Sequence, residues 1–147
     1  MRPVIFLRIA SVLTFIHAAL HTIGGVFGSP APGPQQIAVS AMKANTFPVM
    51  GFTRSFWDFY MGMGLAVSVF LTAEAILFWQ LASLAKTHAL ILRPILITFT
   101  VAYFALSMVT WTYIFPPPSI TEILIALCLI GAIVTAKSAV PVAIASH

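Results

Sequence analysis

The chain has 147 residues, of which 61% are hydrophobic and only 7% charged, and its mean hydropathy is +1.06. Charged residues make up about a quarter of an ordinary soluble domain, so this composition excludes a water-soluble globule. The net charge of +4 comes without a basic run or basic residues interleaved with aromatics, so it carries topology information and gives no reason to expect nucleic acid.

The first apolar segment is read at residues 3–27, with Arg2 and Arg8 at its start. A cleaved signal peptide would also begin with basic residues. This run is longer than the usual apolar core of such a peptide and carries His17 and His21, so a retained helix is expected. Residues 28–55 form the longest connection. Gly28-Ser-Pro-Ala-Pro-Gly-Pro34 stops the helix, and residues 35–45 have the pattern of a short surface helix or a packed apolar loop, ended by Pro48 and Gly51.

The second segment, residues 56–81, opens with a capping-box pattern, Ser55-Phe-Trp-Asp58, and has Trp57, Tyr60 and Trp79 as interface aromatics. Pro94 opens a third segment at residues 94–115, and Pro116-Pro117-Pro118 ends it. A second capping-box pattern, Ser119-Ile-Thr-Glu122, opens the fourth at residues 119–137. Each run is near the roughly 20 residues a membrane span requires. The expected fold is therefore all-α: a single integral membrane domain built as a four-transmembrane-helix up-down bundle.

Arg2, Arg8, Lys86, Arg93 and Lys137 fall at one set of helix ends, and Lys43 and Arg54 at the other. The positive-inside rule then puts both termini in the cytoplasm and residues 28–55 outside. Arg8-Ile-Ala, His21-Thr-Ile-Gly-Gly and Arg54-Ser-Phe-Trp-Asp-Phe-Tyr-Met-Gly-Met-Gly resemble pieces of small four-span bacterial inner-membrane proteins of unassigned function, similar in layout to DoxX-like proteins. That resemblance implies a bundle in the plasma membrane. DoxX-like proteins are linked with membrane redox and sulfur metabolism, but none of their functional residues maps onto this chain.

Ionisable groups inside a membrane are functional candidates. At 1.5 Å per residue, His21 is expected roughly 9 Å and His17 roughly 15 Å below the outer end of the first helix, on one face of it. Their three readings are hydrogen bonds to Ser, Thr or Tyr of neighbouring helices, a metal or haem site, and a polar pocket for a quinone-like or lipid ligand. In the pocket reading Trp111, Tyr103 and Phe59 would stack near the imidazoles. No third ligand is found at their depth, and zinc normally takes at least three from the protein, so the metal reading is the weakest. Glu74, counted roughly 25 Å down from Trp57, is expected to pair with Arg8 and Arg93, with a proton relay or substrate carboxylate as its other reading. Arg54 and Asp58 form an outer polar cluster. Gly24, Gly25, Gly62 and Gly64 are expected to bring the first two helices together, and Ala126, Gly131 and Ala132 to do the same for the last.

Two function classes follow. One is a non-enzymatic protein, either an accessory subunit of a membrane partner or homo-oligomer, or a binder of a small lipophilic ligand. The other is a redox or isomerase-type enzyme with a His-lined pocket in the outer half of the bundle. No cofactor is specified by the sequence.

Overall fold

The structure, a computed structural model, describes residues 2–136. Lys137 and the tail to His147, which bear on the end of the last helix and on the charge count, lie outside the described residues. The fold is all-α: α1 (Arg2–Leu20) continues into a π-helical turn (His21–Val26), followed by α2 (Pro34–Ala44), α3 (Phe56–His88), α4 (Arg93–Tyr113) and α5 (Pro116–Thr135). Among the described residues four helices are long and apolar enough to cross a membrane, at 25, 33, 21 and 20 residues. The chain is a multi-pass membrane protein. Its surface agrees: Ile5, Phe15, Phe70, Val101, Met108 and Leu127 are exposed, whereas Thr14, Thr100, Ser107, Ser119 and Glu122 are buried. Water would favour the reverse distribution, but lipid does not.

Two boundaries and one connection differ from the sequence expectation. α3 runs to His88, because Leu81, Ala82 and Ala85 continue the buried stripe past Trp79. At 33 residues it is about 50 Å long, well beyond a hydrocarbon core of about 30 Å. α5 begins at Pro116, so the three prolines start a helix as well as ending one; a first turn has no intrahelical use for the N–H groups they lack. The connection leading to α3 also contains a β-hairpin, β1 (Thr46–Val49) with β2 (Phe52–Ser55), paired antiparallel with Val49 opposite Phe52 and Thr46 opposite Ser55. Met50 and Gly51 turn it, with φ of 48° and 84°, the two positive values a type I′ turn needs.

The chain forms two compact units, residues 18–72 and the remainder. In the second of these, the first part of α1, the last part of α3, and α4 and α5 surround one core. Leu7, Ala10, Phe78, Leu96, Ile125, Leu129 and Ala132 fill it. Phe78 meets Phe99 edge-on at 5.2 Å between centroids. The close approaches are built on small residues: a Cβ at Gly131 would come within 2.7 Å of the Phe6 ring.

In the unit formed by residues 18–72, the π-helical turn packs on the start of α3. Gly64 lets Val26 approach to 3.0 Å of where a Cβ would stand. Gly24 and Gly62 have nothing within 4 Å of a Cβ, and the nearest atom to one at Gly25 belongs to His21 of the same turn. Of the four glycines expected to join the first two helices, Gly64 alone faces this contact. The others sit where the helical period points them elsewhere.

Candidate functional site

The buried face of α4 is polar. Thr100, Tyr103, Ser107 and Thr110 recur at spacings of three and four, so they form one stripe along the helix. Each of the other three helices in that unit supplies polar groups to it. Tyr103 donates its hydroxyl to Oε2 of Glu74 on α3 at 2.7 Å, and Thr14 Oγ1 of α1 stands 3.4 Å from the same hydroxyl. Thr110 donates to Oε1 of Glu122 on α5 at 3.1 Å, and Ser119 of α5 donates to the Ser107 carbonyl at 2.9 Å. On α5 the order is Ser119 then Glu122, and on antiparallel α4 their partners are Ser107 and Thr110, so the two bonds cross one seam at the same level.

These pairings correct the depth of Glu74. Its partner Tyr103 is ten residues along α4 from Arg93, about 15 Å from that end and close to the middle of the helix. Counting from Trp57 failed because α3 is too long to start and stop at the two interfaces. The ion pair expected of Glu74 is not formed among the described residues. Arg8 instead lies over the Trp79 ring at 3.8 Å, and Arg93 donates to the Ala136 carbonyl at 3.1 Å. Both arginines serve one end of the unit, while Glu74 takes a neutral donor from a tyrosine.

Glu122 is a second correction. It occupies the third position of a capping-box pattern, but α5 begins three residues before Ser119, so both residues are interior and face α4. Glu122 is 2% exposed, and its Oε2 has no hydrogen-bond partner among the described residues. The signal available in the sequence was Thr110, a hydroxyl on the polar stripe of α4, but capping chemistry explains the same four letters more simply. At the other capping box the expectation and the geometry agree: Ser55 N–H donates to Asp58 Oδ2 at 2.7 Å, and Asp58 N–H to Ser55 Oγ at 3.1 Å. Asp58 is therefore engaged as a cap. Arg54 donates to the Thr53 carbonyl at 3.0 Å and stacks over Phe52, and its charge also acts on Asp58.

The two histidines fall in different compact units. His17 is buried on the face of α1 that carries Leu7, Ala10 and Thr14. His21 donates from Nε2 to the Gly64 carbonyl at 3.0 Å, an interhelical bond to backbone where a hydroxyl was expected. Ser68 donates to that same carbonyl at 3.2 Å, and Thr22 stands 2.8 Å from Ser68 Oγ. Phe59 is exposed and packs against Phe47 of the hairpin at 5.6 Å between centroids. No three of His, Cys, Asp and Glu converge among the described residues.

A cleft of about 310 Å³ opens on the seam between α4 and α5, lined by Ser107, Met108, Trp111, Thr112, Ser119 and Ile123. Of the residues proposed from sequence for a ligand pocket, Trp111 lines it, whereas Tyr103 lies in the core one turn away. The cleft is an open groove in the surface, with an apolar and aromatic lining and a few hydroxyls. No protein-family model, characterised protein or solved structure matches the chain.

Proposed function

We propose that this protein binds a small lipophilic molecule in the α4–α5 cleft, receiving it laterally from the bilayer. The observation that carries the reading is the cleft itself: Met108 and Trp111 are exposed on the apolar surface, while Ser107 and Ser119 at its floor are buried. A hydrocarbon tail would lie along the rim while a polar head reaches the floor. The reading favours a non-enzymatic binder. A His-lined redox or isomerase site has less support, since His21 is committed to the Gly64 carbonyl.

We further infer a bacterial inner-membrane address, with both termini cytoplasmic. Its support is the placement of Arg8 and Arg93 at one end of their unit and the DoxX-like pattern of Arg54–Gly64. Reporter fusions at the hairpin and after α3 test the orientation.

The binding test uses the neutral probe 12-bromododecanol, whose bromine quenches tryptophan on contact, with protein in phosphatidylcholine nanodiscs. A saturable component of quenching is expected in the native protein. It should vanish in Trp111→Phe and in Met108→Phe/Thr112→Phe, which fills the cleft from two exposed positions. Quenching that rises linearly and equally in all three overturns the reading.

A further inference from the structure

Positive charge is concentrated at the end of the unit that holds Arg8 and Arg93. Two contacts fix the antiparallel register of α1 on α3: Arg8 lies over the Trp79 ring, and Ser11 donates to the Ala75 carbonyl at 2.6 Å. Six residues before Arg8 and seven beyond Trp79, each about 9–10 Å farther along its helix, Arg2 and Lys86 come to one level. Tyr103 with Glu74 and Phe99 with Phe78 fix α4 on α3 in the same way. Ten residues before Tyr103, Arg93 is level with Leu84, about 3 Å short of Lys86 along α3. Three helices thus bring one cation each to a common level, and Arg8 stands deeper, in its stack on Trp79.

No carboxylate of the described residues answers these charges. Of the three acidic residues, Asp58 is in the other unit, Glu74 is about 15 Å in from this level, and Glu122 is fourteen residues before Ala136, about 21 Å. Arg2 and Lys86 are exposed. Arg93 gives one N–H to the Ala136 carbonyl, and its Nε has no hydrogen-bond partner among the described residues. Arg2 and Arg93 also open α1 and α4, where the helix dipole already places positive charge. An anion here relieves both repulsions. The side chains beside the cations are apolar and exposed: Ile5 on α1, Leu84 on α3, and Ile91 and Ile95 around the start of α4. Cations bordering an apolar flank match an amphiphile, whereas a free phosphate would leave that flank unused.

We propose that this end of the protein binds an anionic phospholipid, its phosphate held among Arg2, Lys86 and Arg93 and its acyl chains laid along the apolar flank. Arginine suits the role because its planar fork can give two N–H donors to one phosphate. Basic pockets between membrane helices hold phospholipid headgroups in this way. The proposal is independent of the α4–α5 cleft, which lies toward the far end of α4.

Trp79, beside Arg8, reports on the site. In Trp57→Phe/Trp111→Phe protein it is the single tryptophan. Its quenching by phosphatidylglycerol brominated on the acyl chains is compared with quenching by equally brominated phosphatidylcholine, at equal mole fraction in phosphatidylcholine nanodiscs. Local enrichment of phosphatidylglycerol by at least about fivefold is expected, the effect of one or two basic groups near a headgroup. Lys86→Gln/Arg93→Gln should bring it below about twofold, with phosphatidylcholine quenching unchanged as the sign of a folded protein. Arg2→Gln/Lys86→Gln, at two exposed positions, should at least halve it even if Arg93 is needed for folding. Lys43→Gln/Arg54→Gln in the other unit, and added inorganic phosphate at constant ionic strength, should leave it intact. Equal quenching by the two lipids, or enrichment that persists in both site variants, overturns the proposal. So does an equal loss in Lys43→Gln/Arg54→Gln, which would show a response to net charge alone, or displacement by inorganic phosphate, which would show a site for a free anion.

Discussion

Replacing Tyr103 by Phe isolates one hydrogen bond in the middle of the protein. The ring stays in place, 6.1 Å from Phe78 between centroids, so the packing volume is nearly unchanged. What is lost is the 2.7 Å donation to Glu74 and the longer contact with Thr14. Interhelical hydrogen bonds in membranes average about 0.6 kcal/mol and reach about 1.7. Bonds to a charged group are roughly twice as strong as neutral ones, and a buried group left unsatisfied costs about 1–3 kcal/mol. Glu74 is half-buried, so lipid headgroups and water do not readily replace the tyrosine. A loss of about 1–2 kcal/mol is expected for Tyr103→Phe, read from reversible unfolding in mixed micelles. A double-mutant cycle with Glu74→Gln assigns the loss to the pair, because the amide still accepts but has no charge. The coupling between the two positions should be at least about 0.5 kcal/mol. A coupling indistinguishable from zero would refute the claim that this bond joins α3 to α4.

Gly131→Ala brings a methyl to within 2.7–3.0 Å of three Phe6 ring atoms and should destabilise by about 1–3 kcal/mol, despite alanine's better helix propensity, as measured by the same unfolding assay. Gly62→Ala, with nothing within 4 Å, should instead be neutral or stabilising by up to about 1 kcal/mol, and a loss there would show an unseen contact. Ser55→Ala removes the side-chain half of a reciprocal cap and should cost about 1 kcal/mol by thermal unfolding. Arg8→Ala should lower stability by about 0.5–1 kcal/mol through its stack on Trp79, with Arg8→Lys recovering part of it.

The helices were readable because lipid imposes length and apolarity, and these are written in composition. The Ser55–Asp58 cap was readable because it is local in sequence. The same reasoning misplaced Glu122, whose spacing from Ser119 is that of a cap but whose helix starts earlier, at a proline that tolerates the first turn. Glu74 was assigned by counting residues from Trp57, and counting breaks down when a helix is about 50 Å long. Its true partner, Tyr103, is 29 positions away, and nothing local connects them. The hairpin at residues 46–55 was missed because its turn is Met-Gly, which lacks the Asn or Asp that normally announces two positive φ values. The ligand cleft depends on which faces of α4 and α5 meet, and the stripe Thr100–Tyr103–Ser107–Thr110 was the one sequence pattern that carried this.

Native mass spectrometry of protein released directly from its own membrane tests the central claim that the α4–α5 cleft holds a small lipophilic molecule. The native chain should carry a bound small molecule, and Met108→Phe/Thr112→Phe should emerge without it. A native chain that emerges bare, or a filled-cleft variant that retains the same molecule, would contradict the claim.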